Sequence, residues 1–169
     1  MRVRERRPDD LRALVEALRA VHERDGYPVR WKADPAGWLT PDGLQGAWVA
    51  ELPDADGPVG HAALVAVDPD EPAAGAWSAA AGQRPERLWC LTRLFVGLGA
   101  RGAGVGVGLL DTVVAHTRAE DRTAVLEVDP ADAPAVALYR RHGWRPAGEG
   151  PARWWVPDGG RSLLFVAPV

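Results

Sequence analysis

Gly97, Gly99, Gly102, Gly104, Gly106 and Gly108 fall between a nine-residue apolar run, Leu88–Val96, and a stripe of Val105, Leu109, Leu110, Val113 and Val114. The run predicts a strand, and the stripe predicts a helix reaching about Glu120. A further strand follows at Thr123–Val128, so the glycine-dense loop opens a crossover, and a crossover joins parallel neighbours. Upstream, Ala47–Leu52 and Val59–Val67 are apolar runs separated by Pro53, Asp54, Ala55, Asp56, Gly57 and Pro58, the signature of an antiparallel hairpin. Together they predict an α/β (α+β) fold. Its central sheet is mixed, with about six to seven strands, antiparallel early and parallel around the 88–128 crossover, and about four helices flank it.

The remaining elements fit that frame. Residues 1–7 predict a short edge strand. Pro8, Asp9 and Asp10 open a helix whose Leu11, Leu14, Val15, Leu18 and Val21 lie on one face, stopping near Gly26. From Tyr27 to Gly46, prolines and glycines allow only a short helix near Trp38, and residues 68–86 read as a Pro/Ala/Gly-rich loop. Pro134–His142 predicts a helix ended by Gly143, and residues 152–167 a closing hairpin around Pro157, Asp158, Gly159 and Gly160. With 169 residues, 47% hydrophobic and 25% charged, the chain has the size and composition of one domain with a real core. Its lone Cys90 builds no disulfide framework.

Charge narrows the function classes. The net charge is −3, and after Arg2, Arg4, Arg6 and Arg7 no basic run persists, which argues against nucleic acid as a partner. No apolar stretch approaches the roughly 18 to 20 residues of a membrane helix, and the N-terminus lacks a signal peptide's apolar core. These features place the protein in the cytoplasm, away from membranes. The 19 Arg against the single Lys32, with many Ala, Gly and Pro, are the composition of a GC-rich bacterial genome.

The loop carries chemistry because unpaired amides at a helix start, backed by the helix dipole, bind anions, and phosphate is the natural one. A tight structural turn is the alternative. A nucleotide triphosphatase loop would need Lys and Ser or Thr where Leu109 and Leu110 stand. The dinucleotide fingerprint is present as Gly97, Gly99 and Gly102, but only 67 residues follow it and they end in a hairpin, so it remains a minor alternative.

Arg101-x-x-Gly104-x-Gly106, continued by Leu109 and Leu110, resembles the acetyl-CoA motif of the GNAT superfamily of N-acetyltransferases. Leu126-Glu127-Val128, Asp132, Ala135, Leu138-Tyr139 and Gly143-Trp144 are similar to its downstream series. The resemblance covers residues 88–148 and implies one acetyltransferase-like domain over 1–169. It implies that acetyl-CoA rests its pyrophosphate on the backbone of Arg101, Gly102, Ala103, Gly104, Val105 and Gly106. The pantetheine arm would run along Leu94, Phe95 and Val96, and no metal would be needed. It further implies direct attack by a primary amine of a small molecule or protein, with Tyr139 as general acid. Asp132 stands where relatives carry Asn, and capping of the next helix is its alternative role. Cys90 stands where many relatives carry a basic Glu, so the base is unassigned.

Candidates for that base are His61, on an otherwise apolar strand face and able to titrate near neutrality, and Glu51, at the end of the second strand. A satisfied core histidine and a solvated strand end are their alternatives. Arg93 would hold an anionic substrate group or pair with a carboxylate. Residues 22–44, with Tyr27 and Trp31 foremost, and 150–167 would wall the acceptor site, aromatic faces suiting a cationic amine. Packing of those aromatics onto the core is the competing reading. Trp154 and Trp155 point to opposite faces, and an exposed one would favour a homodimer contact or an aromatic acceptor. An acyl-CoA sensor without turnover is the second functional reading.

Overall fold

The computed structural model describes residues 1–152 and 160–168. They gather into two compact units, Met1–Val65 with Thr92–Val113 and Ala66–Leu91 with Val114–Val169. Among them are seven strands in one sheet, ordered β1-β2-β3-β4-β5-β7-β6, and five α-helices.

In the first unit, β1 (Arg2–Glu5) pairs antiparallel with β2 (Leu44–Glu51), which pairs antiparallel with β3 (Pro58–Ala66). The helix expected after Pro8 begins as a 3-10 turn, Pro8–Asp10, and continues as α1 (Leu11–Asp25). Gly26, at φ +74°, ends it, its N–H donating to the His22 carbonyl, because an L side chain resists that left-handed geometry. Leu14, Leu18 and Val21 of α1 meet Leu39, Val49 and Phe95 in a buried cluster. Each such side chain contributes roughly 1.5–3 kcal/mol on burial. The short helix near Trp38 is α2 (Pro35–Trp38), capped by Asp34.

The first residues of β4 (Leu88–Val96) belong to the second unit, where Leu88–Cys90 pair parallel with β5 (Thr123–Val128). The connecting helix is α4 (Val105–Ala119), and α5 (Ala133–Arg141) follows β5. β7 (Arg161–Val166) pairs antiparallel with β5 and with β6 (Arg145–Pro151). The parallel β4–β5 pair amid antiparallel neighbours removes the dinucleotide-binding alternative, which needs a largely parallel, doubly wound sheet. No helix of the described residues is long and apolar enough to cross a membrane.

Two expectations are corrected. Residues 68–86 are not all loop, because α3 occupies Ala74–Ala81. Alanine has the highest helix propensity, yet a helix with five alanines among eight residues and no charged side chain carries no polar face and so leaves no periodic signal. Trp77 anchors it, fully buried, with Nε1 donating to the Leu126 carbonyl at 3.2 Å. The closing hairpin starts earlier than expected, at Arg145, in a strand holding Pro146, Gly148, Gly150 and Pro151. Prolines are tolerated there because β6 is an edge strand, and Gly148 (φ +101°) sits at a register shift. The expected turn at Pro157, Asp158 and Gly159 lies outside the described residues, as do Trp154 and Trp155.

Trp77→Phe loses the buried donor and leaves a cavity. It should destabilise the protein by about 2–4 kcal/mol in chemical denaturation.

Candidate functional site

The glycine loop is held at its root by β3. The Gly97 amide donates to the Val59 carbonyl at 2.7 Å, and a Cβ at Gly60 would lie 2.7 Å from Val105 Cγ1 and 3.2 Å from Leu109 Cδ1. Only glycine lets the first turn of α4 approach the strand this closely. Ala100 and Val105 are buried, whereas Arg101, Gly102, Ala103 and Gly104 between them are exposed. Gly102 (φ +79°) and Gly104 (φ +77°) are left-handed, and a Cβ at either would meet nothing within 4 Å. The amides of Val105, Gly106 and Val107 precede the first helical bond, from the Gly108 N–H to the Gly104 carbonyl, and have no partner within the helix, while the Ala103 amide donates back to the Ala100 carbonyl at 3.4 Å. The result is an exposed backbone cradle at the start of α4. Arg101 does not reach over it as a free cation, because its guanidinium pairs with Asp25 at the end of α1 and holds that carboxyl below its usual range.

Below the loop, β4 carries a backbone outlier. Arg93 has φ +53° inside a strand, a conformation costing about 1 kcal/mol or more for a side-chain-bearing residue, so its neighbours must enforce it. Three contacts do so. His61 Nδ1 lies 2.9 Å from the Arg93 carbonyl oxygen; that oxygen only accepts, so Nδ1 carries the proton. Nε2 is then the lone pair facing Arg6 Nη1 at 3.2 Å. Arg93 itself donates from Nε to the Trp38 carbonyl and lays its guanidinium 5.1 Å from the centre of the Trp38 ring. Arg6 also donates to the Leu39 carbonyl and to Thr40 Oγ1.

This network corrects the expectation that His61 titrates near neutrality. Full burial, opposed in part by the bond to Arg93 and aided by the Arg6 and Arg93 charges, lowers it from 6.5 to about 4. It is a neutral, doubly engaged core imidazole. Glu51 is no bare strand end either. Its Oε1 accepts from Arg4 Nε at 2.8 Å and Nη2 at 2.6 Å, and Arg4 also grips Asp10 in a bidentate pair at 2.8 Å. That pairing holds the Asp10 carboxyl low. Arg6, the partner of His61, was missed in the sequence; 55 residues separate the two, and no local pattern announces the contact.

Leu94 and Val96 are half-buried and Phe95 is buried, its ring 5.7 Å from that of His61. In the other unit, Asp132 caps α5, Oδ1 accepting from the Ala135 amide at 3.0 Å. Tyr139 is 7% exposed, with ring centres of Trp144 at 5.9 Å and Phe165 at 6.0 Å. Cys90 is buried, its Sγ directed to the Leu91 carbonyl. Among the acceptor-wall candidates, Tyr27, Trp31 and Trp38 are partly buried against the α1 cluster. Tyr27 meets Trp38 edge-on at 6.0 Å, and Trp31 lies between the His22 ring and the Arg19 guanidinium. Among the described residues no three His, Cys, Asp or Glu side chains are grouped to hold a metal ion.

The charges facing His61 are Arg6, beyond β1, and Arg93, on β4; both oppose its protonation. Because the unfolded chain binds the proton more readily, the stability contributed by neutral His61 is fully present above pH 6.5 and lost as pH falls towards about 4. The full window is worth up to about 3 kcal/mol. Asp10, depressed by Arg4, works in the same sense, its contribution present above 3.8 and lost as pH falls below it. His61→Asn should therefore flatten the denaturation midpoint between pH 4 and 6.5 while preserving the steeper fall below it.

The sequence model of the Acetyltransferase (GNAT) family matches residues 10–144. No curated protein matches the sequence. Among solved structures, the fold is similar to the ribosomal-protein-alanine N-acetyltransferase of Brucella melitensis, with TM-score 0.70 and 22% identity over 100% of both chains. It is similar also to Arabidopsis thaliana NAA60 in complex with acetyl-CoA, with TM-score 0.73 and 21% identity over 99% of both. The Escherichia coli ribosomal-protein-S18-alanine N-acetyltransferase gives TM-score 0.68 at 15% identity, over 99% of this chain and 93% of that one. With a family match over most of its length, the chain belongs to the GNAT acetyltransferase family.

Proposed function

We propose that the protein transfers the acetyl group of acetyl-CoA to a primary amine of a small molecule or protein, by direct attack in a ternary complex. The observation that carries this reading is the exposed cradle at Arg101–Gly106, with left-handed Gly102 and Gly104 at the start of α4. Its amides would hold the pyrophosphate. Leu94, Phe95 and Val96 would line the pantetheine arm, a strand amide there stabilising the oxyanion as the amine nitrogen bonds to the thioester carbon. As the C–S bond breaks, the Tyr139 hydroxyl would give its proton to the departing sulfur, and the proton shed by the acylated nitrogen would pass through solvent to restore the phenol. The Asp132 side chain accepts the Ala135 amide, and that capping bond is the role that supports α5. With His61 neutral in the core and Glu51 bound to Arg4, the acceptor would enter as the free amine. The similar Brucella melitensis protein, a ribosomal-protein-alanine N-acetyltransferase, supports a protein amino group among the acceptors.

A second reading, acyl-CoA sensing without turnover, draws support from buried Cys90 at the position of the family's usual Glu. Thiol release from acetyl-CoA across a panel of amines and peptides separates the two, since a sensor binds the donor and releases none. Gly104→Val places a β-branched side chain at φ +77° in the cradle and should abolish the thermal stabilisation given by acetyl-CoA. Tyr139→Phe should leave acetyl-CoA affinity within about twofold and slow transfer by roughly 10² to 10⁴. An unchanged rate removes Tyr139 from the mechanism.

A further inference from the structure

A left-handed, side-chain-bearing residue inside a strand is retained only where its surroundings enforce it, and such outliers collect at functional sites. Arg93 is one, and it immediately precedes Leu94–Val96, the stretch read above as the lining of the pantetheine arm. The side chain that enforces it from β3 is His61, fully buried and chemically specific in its contacts. The Nδ1 proton goes to the Arg93 carbonyl at 2.9 Å, and the Nε2 lone pair faces Arg6 at 3.2 Å. Arg6 in turn donates to the carbonyl of Leu39 and the hydroxyl of Thr40, tying the imidazole to the segment after α2. An apolar residue would fill the same core space without a donor for that carbonyl. A buried carbonyl without a donor would favour turning outward or straightening the strand, and either moves residues 94–96.

We infer that His61 is a positioning residue for the donor-binding strand: by fixing the carbonyl of left-handed Arg93, it sets the course of Leu94–Val96 against the pantetheine arm. This rests on the acetyl-CoA reading. Arg6 acts one step further out, selecting the imidazole tautomer whose proton faces β4. Nothing in this role requires His61 to take up a proton during turnover, which accords with its two engaged nitrogens.

The test compares two probes by calorimetry. Acetyl-CoA carries the pantetheine arm, and 3′-phospho-ADP carries the pyrophosphate without it. His61→Leu should weaken acetyl-CoA about tenfold while leaving 3′-phospho-ADP within twofold, because the loop at Arg101–Gly106 is rooted through Val59 and Gly60 rather than through His61. His61→Asn, whose amide N–H occupies the place of Nδ1, should recover acetyl-CoA affinity to within about threefold. Should His61→Leu fail to fold, Arg93→Val and Arg93→Gly take its place, since a β-branched residue resists φ +53° and glycine adopts it freely. Valine should reproduce the selective loss, and glycine should not. Equal weakening of both probes, equal loss in His61→Leu and His61→Asn, or no loss in His61→Leu would each overturn the inference. A wild-type protein that binds neither probe would overturn the acetyl-CoA reading and this inference with it.

Discussion

Everything proposed for the glycine loop depends on the missing side chain at Gly60. Because no Cβ stands between β3 and α4, Val105 and Leu109 settle directly on the strand, and the helix start is fixed where the backbone turns out of β4. The bond from the Gly97 amide to the Val59 carbonyl fixes the other end of the same turn. Between those anchors five residues are exposed, Gly99 and Arg101–Gly104, two of them in left-handed geometry. The cradle is therefore a product of close packing beneath it more than of flexibility within it.

A second layer of order comes from electrostatics without a carboxylate. His61 lies between Arg6 and the backbone of Arg93, and burial among those charges keeps it neutral. A neutral imidazole is at once donor and acceptor, which a carboxylate or an ammonium is not. It thus joins a guanidinium on one side to a carbonyl on the other, and no net charge is added to the core. The neighbouring Arg4–Asp10–Glu51 cluster uses the ordinary solution, one guanidinium shared by two carboxylates.

Much of this was legible in the sequence. The strand at Leu88–Val96, the helix at Val105, the strand at Thr123–Val128 and the capped helix after Asp132 were all marked by local signals: β-length apolar runs, a helical stripe, and a capping residue followed by Pro134. Where such signals were absent, the reading failed. The alanine-rich α3 has no polar face to mark a period, and β6 is written in prolines and glycines that only an edge strand accepts. For His61 the alternating pattern identified a buried face but not its partners, because Arg6 and Arg93 reach it across long sequence separations. Likewise, the aromatics of the 27–38 segment are partly buried against α1, a packing that composition alone left open.

The pairing of Arg101 with Asp25 has a kinetic consequence. The one full positive charge in the loop is already matched by a carboxylate, and the chain as a whole carries a net charge of −3. An anion approaching the proposed cradle would thus meet little long-range attraction and would be held only at contact distance, by peptide dipoles whose field dies away within about one helical turn. What acts at long range is the repulsion between that net negative charge and the anion, so added salt, by screening it, would ease the encounter and not hinder it.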